Sequence, residues 1–178
     1  LILALVLSSI CVGTYVRRNL TVVIVDRYEF MNETMGIALD NLYRKTDAVT
    51  AEIILENDVQ KSLKNKELQE VETNALSKYF AYIDLNYVAD YCYIDNKRNV
   101  YAKSYSQIGY SDFQSSGLRE KMGDEYAKTQ WIWTRDYLFG TGDEALFIGR
   151  YVNSMDYAHE PGIVYLKMNQ QFLENVMD

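Results

Sequence analysis

The stretch DYCYIDNKRNVYAKS, residues 90–104, decides the fold class of this chain. Two Tyr-rich apolar runs flank five polar residues, Asp95 to Asn99, and this pattern predicts two antiparallel strands joined by a tight turn. Tyrosine suits a half-buried sheet, because its ring packs while its hydroxyl stays hydrated. The chain has 16 Tyr and a single Pro among 178 residues, which favours a Tyr-rich sheet in its second half.

Further strands and helices are predicted on both sides of this hairpin. The segments WIWTRDYL, EALFIGRYVNS and GIVYLKM predict three more strands, separated by turn signals at residues 140–143 and 159–162. Helices are predicted in KELQEVETNALSKYFAYIDLN, in SSGLREKMGDEYAKT and in NQQFLENVM. Short turns between neighbouring strands indicate antiparallel pairing. We therefore expect an α+β fold, with a five-stranded antiparallel sheet packed on a long N-terminal helix.

The chain begins with LILALVLSSICVGTYV, sixteen residues without a charge, followed by Arg17 and Arg18. Because a membrane-spanning helix needs about 20 apolar residues, we interpret residues 1–17 as the C-terminal part of a transmembrane helix. A secretory signal is the main alternative, although the segment has no small-residue cleavage site of the usual kind. The two arginines would ordinarily mark a cytoplasmic end. The rule compares the positive charges on both sides of a span, and these arginines report on one side, so the charges alone do not give the orientation.

Residues 18–63 predict a long helix with an apolar stripe at alternating steps of four and three residues. The stripe consists of Tyr28, Asn32, Met35, Leu39, Leu42, Thr46, Val49 and Ile53. A heptad stripe of this kind packs either on the chain's own domain or on a second copy of the same helix. Both alternatives stay open, and they can hold at different positions along the helix.

Composition and charge exclude several function classes. The net charge of −7 argues against a nucleic-acid partner, since nucleic-acid binding needs a basic face. One His and two Cys without a CxxC motif give no basis for a zinc site. The chain also lacks a nucleophile motif. We therefore expect no metal, no cofactor and no catalytic residues, and we do not expect an enzyme.

Four segments, in chain order, resemble a known family. They are NLYRKTDAVTAEIILENDVQKSL, VADYCYIDNKRNVYAKS, EYAKTQWIW and IGRYVNSMDYAHEPGIVYLKMNQQFLENV. The first contains a short D-V-Q element, Asp58 to Gln60. Together the segments are similar to extracytoplasmic Cache domains, a PAS-like sensory fold, and more narrowly to the sensor region of YesM-like sensor histidine kinases.

The resemblance implies a function and an organisation. Residues 64–178 would form the Cache domain outside the cell membrane, binding a small molecule such as an amino acid, an organic acid or a sugar. Residues 18–63 would form the membrane-exit helix, which would also join two copies of the chain in a homodimer. The family's kinase core is not among these residues. A chemoreceptor or cyclase sensor, and a membrane-anchored interaction module without a ligand, remain alternatives.

The resemblance also implies where a ligand would bind, between the sheet and the loops and helix across it. On the third strand Trp131, Trp133 and Arg135 alternate on one face. A guanidinium between two aromatic rings suits a carboxylate or a sugar. The alternative is that both Trp side chains are core and Arg135 is solvated. The secondary candidates are Tyr91, Tyr93, Tyr101, Tyr151 and Asp156.

Overall fold

The structure, a computed structural model, describes residues 2–65, 68–82, 86–103, 107–126, 128–155 and 159–177. Side chains are described from Val22 onwards, apart from those of residues 82, 176 and 177. The chain divides into two compact units, Leu1–Leu42 and Tyr43–Asp178. The described part of the first unit is helical throughout, and the second unit contains the sheet.

The fold is α+β, with a five-stranded antiparallel sheet and a long N-terminal helix, as the sequence predicts. The helices are α1 (Ile2–Leu55), α2 (Asn57–Lys64), α3 (Glu70–Tyr82), α4 (Tyr110–Ser116), α5 (Leu118–Lys121) and α6 (Gln170–Met177). The strands are β1 (Val88–Ile94), β2 (Val100–Ala102), β3 (Gln130–Arg135), β4 (Glu144–Val152) and β5 (Gly162–Met168).

Two of the predicted helices differ from the observed ones. The helix expected over residues 18–63 is interrupted at Glu56, whose backbone is extended with φ −61° and ψ 130°. The helix expected in SSGLREKMGDEYAKT, residues 115–129, is reduced to the four residues of α5, and α4 before it has no counterpart among the predicted helices. The two observed helices meet at Gly117, which has φ 69° and ends α4. Glycine adopts this left-handed conformation without the steric cost that other residues bear, so Gly117 allows α5 to leave in a new direction.

The strand order is β2-β1-β5-β4-β3, and all neighbours are antiparallel. The last strand, β5, therefore lies at the centre and joins the β1–β2 hairpin to the β3–β4 pair. Cross-strand partners share a face of a sheet, and the register sorts the side chains into two sets. Tyr93 pairs with Tyr101 on one face, while Cys92 and Gly149 both pair with Tyr165 on the other.

One side of the sheet, here called the helix face, carries Tyr91, Tyr93, Tyr101, Ile148, Arg150, Val164 and Leu166. Phe80 of α3 stacks on Tyr93 with ring centroids 5.4 Å apart, and Arg150 contacts the last turns of α1. The other side, here called the pocket face, carries Cys92, Ile94, Phe147, Tyr151, Ile163 and Tyr165. Phe113 of α4 and Leu118 of α5 pack on the pocket face in one buried cluster.

The apolar stripe of α1 has two different environments. In the unit that contains the sheet, Thr46, Thr50 and Ile53 are buried, so this part of the helix packs on its own domain. In the first unit, Tyr28 is 64% exposed. Among the residues whose side chains are described, no helix is apolar and long enough to cross a membrane. The prediction that residues 1–17 belong to a transmembrane helix concerns side chains that lie before Val22, outside the described ones.

A buried ion pair holds the turn between β3 and β4 against the central strand. Asp136 follows β3, and its side chain is fully buried; its Oδ2 accepts a hydrogen bond from Lys167 Nζ on β5 at 2.6 Å. Oδ1 accepts from the Phe139 amide at 2.7 Å, and Oδ2 also accepts from the Thr141 hydroxyl at 2.9 Å. Burial by itself would raise the pKa of Asp136, but these donors and the Lys167 charge outweigh it and hold the pKa below its usual value.

We expect Asp136→Asn to lower the free energy of unfolding by about 3 kcal/mol at pH 7, because Lys167 would keep a buried charge without its partner. A carboxyl whose pKa is depressed on folding contributes stability above its unfolded pKa of about 3.9 and loses it as the pH falls through the folded value. The difference between variant and parent should therefore shrink below about pH 4, as measured by urea unfolding at several pH values.

Asp58→Asn provides the matched control. Asp58 pairs with Lys61 on the surface of α2, where the two side chains are 26% and 42% exposed. Its loss should change the stability by less than about 1 kcal/mol. The role of the buried pair would be contradicted if Asp136→Asn lowered the free energy of unfolding by as little as Asp58→Asn does. It would also be contradicted if the effect of Asp136→Asn grew towards acid pH.

Candidate functional site

The pocket face holds a cavity of about 430 Å³, within the range of small-molecule sites. Its walls come from the β1–β2 turn, from α4 and α5, from the chain before β3, from β4 and from the start of β5. The lining residues are Ile94, Asp95, Asn96, Arg98, Tyr110, Phe113, Arg119, Tyr126, Tyr151, Glu160, Pro161 and Ile163. Rings and aliphatic groups therefore alternate with a few charged groups, which is the usual composition of a ligand site.

Tyr151 lies at the buried end of the cavity and is held by Arg119. Tyr151 is 1% exposed, and its hydroxyl accepts a hydrogen bond from Arg119 Nη1. The Tyr126 ring lies 4.4 Å from the Tyr151 ring, centroid to centroid, and is 45% exposed. Burial raises the pKa of Tyr151, although the Arg119 charge opposes this. The hydroxyl therefore stays protonated at neutral pH and keeps a proton to donate to a ligand.

A second guanidinium, that of Arg98, lines the same cavity from the β1–β2 turn. It lies over the Tyr110 ring, 5.4 Å from the centroid. The turn is fixed by Asp95, whose Oδ1 accepts from the amides of Lys97 at 2.8 Å and Asn99 at 2.9 Å. Arg98 has φ 72°, a left-handed conformation that is uncommon for residues other than glycine. Two arginines and three tyrosines suit a ligand with a negatively charged group and a flat or apolar part.

The tyrosines of the first hairpin lie on the helix face, away from this cavity. Tyr91, Tyr93 and Tyr101 are between 0% and 4% exposed. The Tyr93 hydroxyl lies 2.8 Å from that of Ser62 in α2, and burial raises the pKa of Tyr101 to about 12. These side chains fill the space between the sheet and α2 and α3, so they contribute to the hydrophobic core.

The three candidates on β3 also lie on the helix face, at the open edge of the sheet. Trp131 packs against Tyr43 of α1, with ring centroids 6.2 Å apart. Trp133 is 63% exposed, and its Nε1 donates to Glu144 Oε2 at 3.3 Å. Arg135 is exposed. A smaller cavity of about 200 Å³ borders Trp133, but Trp131 and Arg135 do not line it.

Among the eight predicted site residues, Tyr151 is the one that the structure places at this cavity of about 430 Å³. Tyr101 lines a larger cavity of about 800 Å³ between α3 and the β1–β2 turn, to which Arg98 and Tyr110 also contribute. Asp156 lies outside the described residues.

No sequence pattern distinguishes Arg119 or Tyr126, because Arg119 belongs to a four-residue helix too short for periodicity and Tyr126 to an irregular segment. For Tyr151 the sequence does hold a signal, the alternation along β4, which predicts that Tyr151 and its neighbour Arg150 point to opposite faces of the sheet.

In the described ranges, no group of three or more His, Cys, Asp or Glu side chains lies close enough to hold a metal ion. Cys92 is buried under α4 and α5, and burial raises the pKa of its thiol to about 12. Comparison of the sequence with models of known protein families, and with curated proteins, gives no match.

We expect Tyr151→Phe to lower the free energy of unfolding by about 1 kcal/mol, because Arg119 loses its acceptor while the ring is kept. Tyr137→Phe is the control, since Tyr137 is 57% exposed and water can replace the bonds of its hydroxyl. Chemical denaturation measures both. Equal changes in the two variants would show that the Arg119–Tyr151 bond does not support the cavity.

Proposed function

We propose that this chain is a sensory domain that binds a small molecule in the cavity of the pocket face. The observation that carries the proposal is the lining, in which Arg98 and Arg119 stand beside Tyr110, Tyr126 and Tyr151. A carboxylate can take two parallel hydrogen bonds from a guanidinium, and tyrosine rings can cover an apolar or sugar-like body. Amino acids, organic acids and sugars are therefore the ligand classes to test.

We propose further that the domain is a PAS-like Cache domain of a YesM-type sensor histidine kinase. The support is the order of elements: a long helix and two short ones, a hairpin, two further helices, three strands and a closing helix. In this proposal residues 1–17 anchor the chain in the cell membrane and the sheet domain lies outside the cell. The exposed apolar side chains of α1, among them Val22, Ile24 and Tyr28, suit a homodimer formed along this helix.

A protein-interaction module without a ligand is the second candidate. It is favoured by the edge of the sheet at β3, where Trp133 and Tyr137 are 63% and 57% exposed beside the exposed Arg135. Trp, Tyr and Arg are the residue types most enriched at energetically important positions of protein interfaces.

Thermal-shift screening of the 178-residue chain against amino acids, organic acids and sugars tests the first candidate. At least one class should raise the melting temperature, because a ligand that binds the folded state alone stabilises it by mass action. The shift should be lost in Arg119→Met and Tyr126→Ala, which remove a charge and an exposed ring from the cavity.

Trp133→Ala is the matched control, since it truncates an exposed aromatic residue on the opposite face. Its ligand-induced shift should equal that of the parent chain. If the ligand-induced shift disappeared in Trp133→Ala and persisted in Arg119→Met, the ligand would bind at β3 and not in the cavity of the pocket face. No shift with any of the three classes would contradict direct sensing by this domain.

A further inference from the structure

Gln60 in α2 connects two segments that are far apart in the chain. Its Nε2 donates to the Ile54 carbonyl at 2.7 Å and to the Asn153 carbonyl at 3.0 Å. Its Oε1 accepts from the Met155 amide at 2.8 Å. The side chain is nearly buried, with 5% of the residue exposed. A buried amide that has both donors and its acceptor engaged has one favourable orientation, so the two segments are held at a fixed separation.

The segments that Gln60 connects are the end of α1 and the chain that leaves β4. The Ile54 carbonyl is one of the last four of α1, which have no partner within the helix, and Gln60 supplies one. Asn153 and Met155 lie just after Val152, the last residue of β4. They are two and four residues beyond Tyr151, which lines the cavity. Asn153 Nδ2 also donates to the carbonyl of Tyr126, which lines the cavity, at 3.4 Å.

Neighbouring groups of α2 are bonded to the β1–β2 turn, which lines the cavity. Asn96 Nδ2, in the β1–β2 turn, donates to the Leu63 carbonyl at 3.0 Å and to the Glu160 carbonyl at 3.2 Å. Lys97 Nζ donates to the Ser62 carbonyl. The β1–β2 turn of the cavity and the chain leaving β4 are therefore both bonded to one eight-residue helix, and Gln60 bonds that helix to the end of α1.

We infer that Gln60 is the positioning residue that couples the chain leaving β4, beside the cavity, to the last turn of α1. A ligand that shifts Tyr126 or the end of β4 changes the bonds at Asn153 and Met155, and the same amide group then changes its bond to Ile54. The coupling needs only the three hydrogen bonds of the Gln60 side chain. It rests on the proposed function only in that a ligand is said to move the end of β4. It differs from transmission through the sheet, which would run through Arg150 instead.

Hydrogen–deuterium exchange on the 178-residue chain tests the inference. Gln60→Glu keeps the acceptor for Met155 but sets a carboxylate against two carbonyl oxygens. Amides of residues 53–56 and 153–155 should both exchange about tenfold faster, which corresponds to about 1.4 kcal/mol. The control is Gln171→Glu on exposed α6, which should change neither segment. Faster exchange at residues 153–155 alone would make Gln60 a local contact and overturn the inference.

A second arm measures the coupling itself. Tyr151→Phe disturbs the cavity without touching α2, and it should speed exchange at residues 53–56 in the parent chain but not in the Gln60→Glu chain. The same acceleration in both chains, or none in the parent chain, would overturn the inference. If Gln60→Glu does not fold, Gln60→Met removes the same bonds without adding a charge and serves in its place. Because no ligand is used, failure of the ligand screen and failure of the coupling are separate results.

Discussion

The contact between Arg150 and α1 is the interaction on which the arrangement of the sheet domain depends. Arg150 Nη1 donates to Asp47 Oδ1 at 2.8 Å and to Thr50 Oγ1 at 3.0 Å. Thr129, just before β3, donates to the same Asp47 oxygen at 2.7 Å. The Arg150 side chain is only 15% exposed, so its charge is largely removed from water and requires these partners. The last turns of α1 are therefore fixed against β4.

Arg150 and Tyr151 are consecutive, and this places the helix contact and the cavity on opposite sides of a single strand. Successive side chains of a strand point to opposite faces, so Arg150, which contacts Asp47, and Tyr151, which lines the cavity, extend from β4 in opposite directions. Close-packed interiors transmit small shifts rather than absorb them. In the proposed sensory function, a displacement at the cavity has two routes to α1, one through Arg150 of β4 and one through Gln60 of α2.

The hairpin at residues 90–104 and the α+β class follow from sequence because both depend on local periodicity and turn chemistry. The same periodicity correctly groups Trp131, Trp133 and Arg135 on one face of β3. It does not tell which face the long helix covers, because that depends on contacts such as the one between Arg150 and Asp47, 103 positions apart. The sequence also gives no sign of the helix break at Glu56, because neither Gly nor Pro occurs there.

The candidate cavity is less predictable than the sheet for a related reason. It is assembled from short elements, among them the four residues of α5 and the turn at Arg98, which are brought together by the pairing of distant strands. Tyr151 could be selected because it lies on a regular strand. Arg119 could not be, because a single helical turn has no pattern from which its direction follows.

A double-mutant cycle on Asp47 and Arg150 tests the central claim, that this pair fixes α1 to the sheet, most directly. Asp47→Ala, Arg150→Met and the double variant would be compared by chemical denaturation of the 178-residue chain. We predict a coupling free energy of about 1.5–3 kcal/mol, as for partly buried, hydrogen-bonded partners. Additivity within about 0.3 kcal/mol would contradict the account, because α1 would then be held to the sheet by its other contacts and not by this pair.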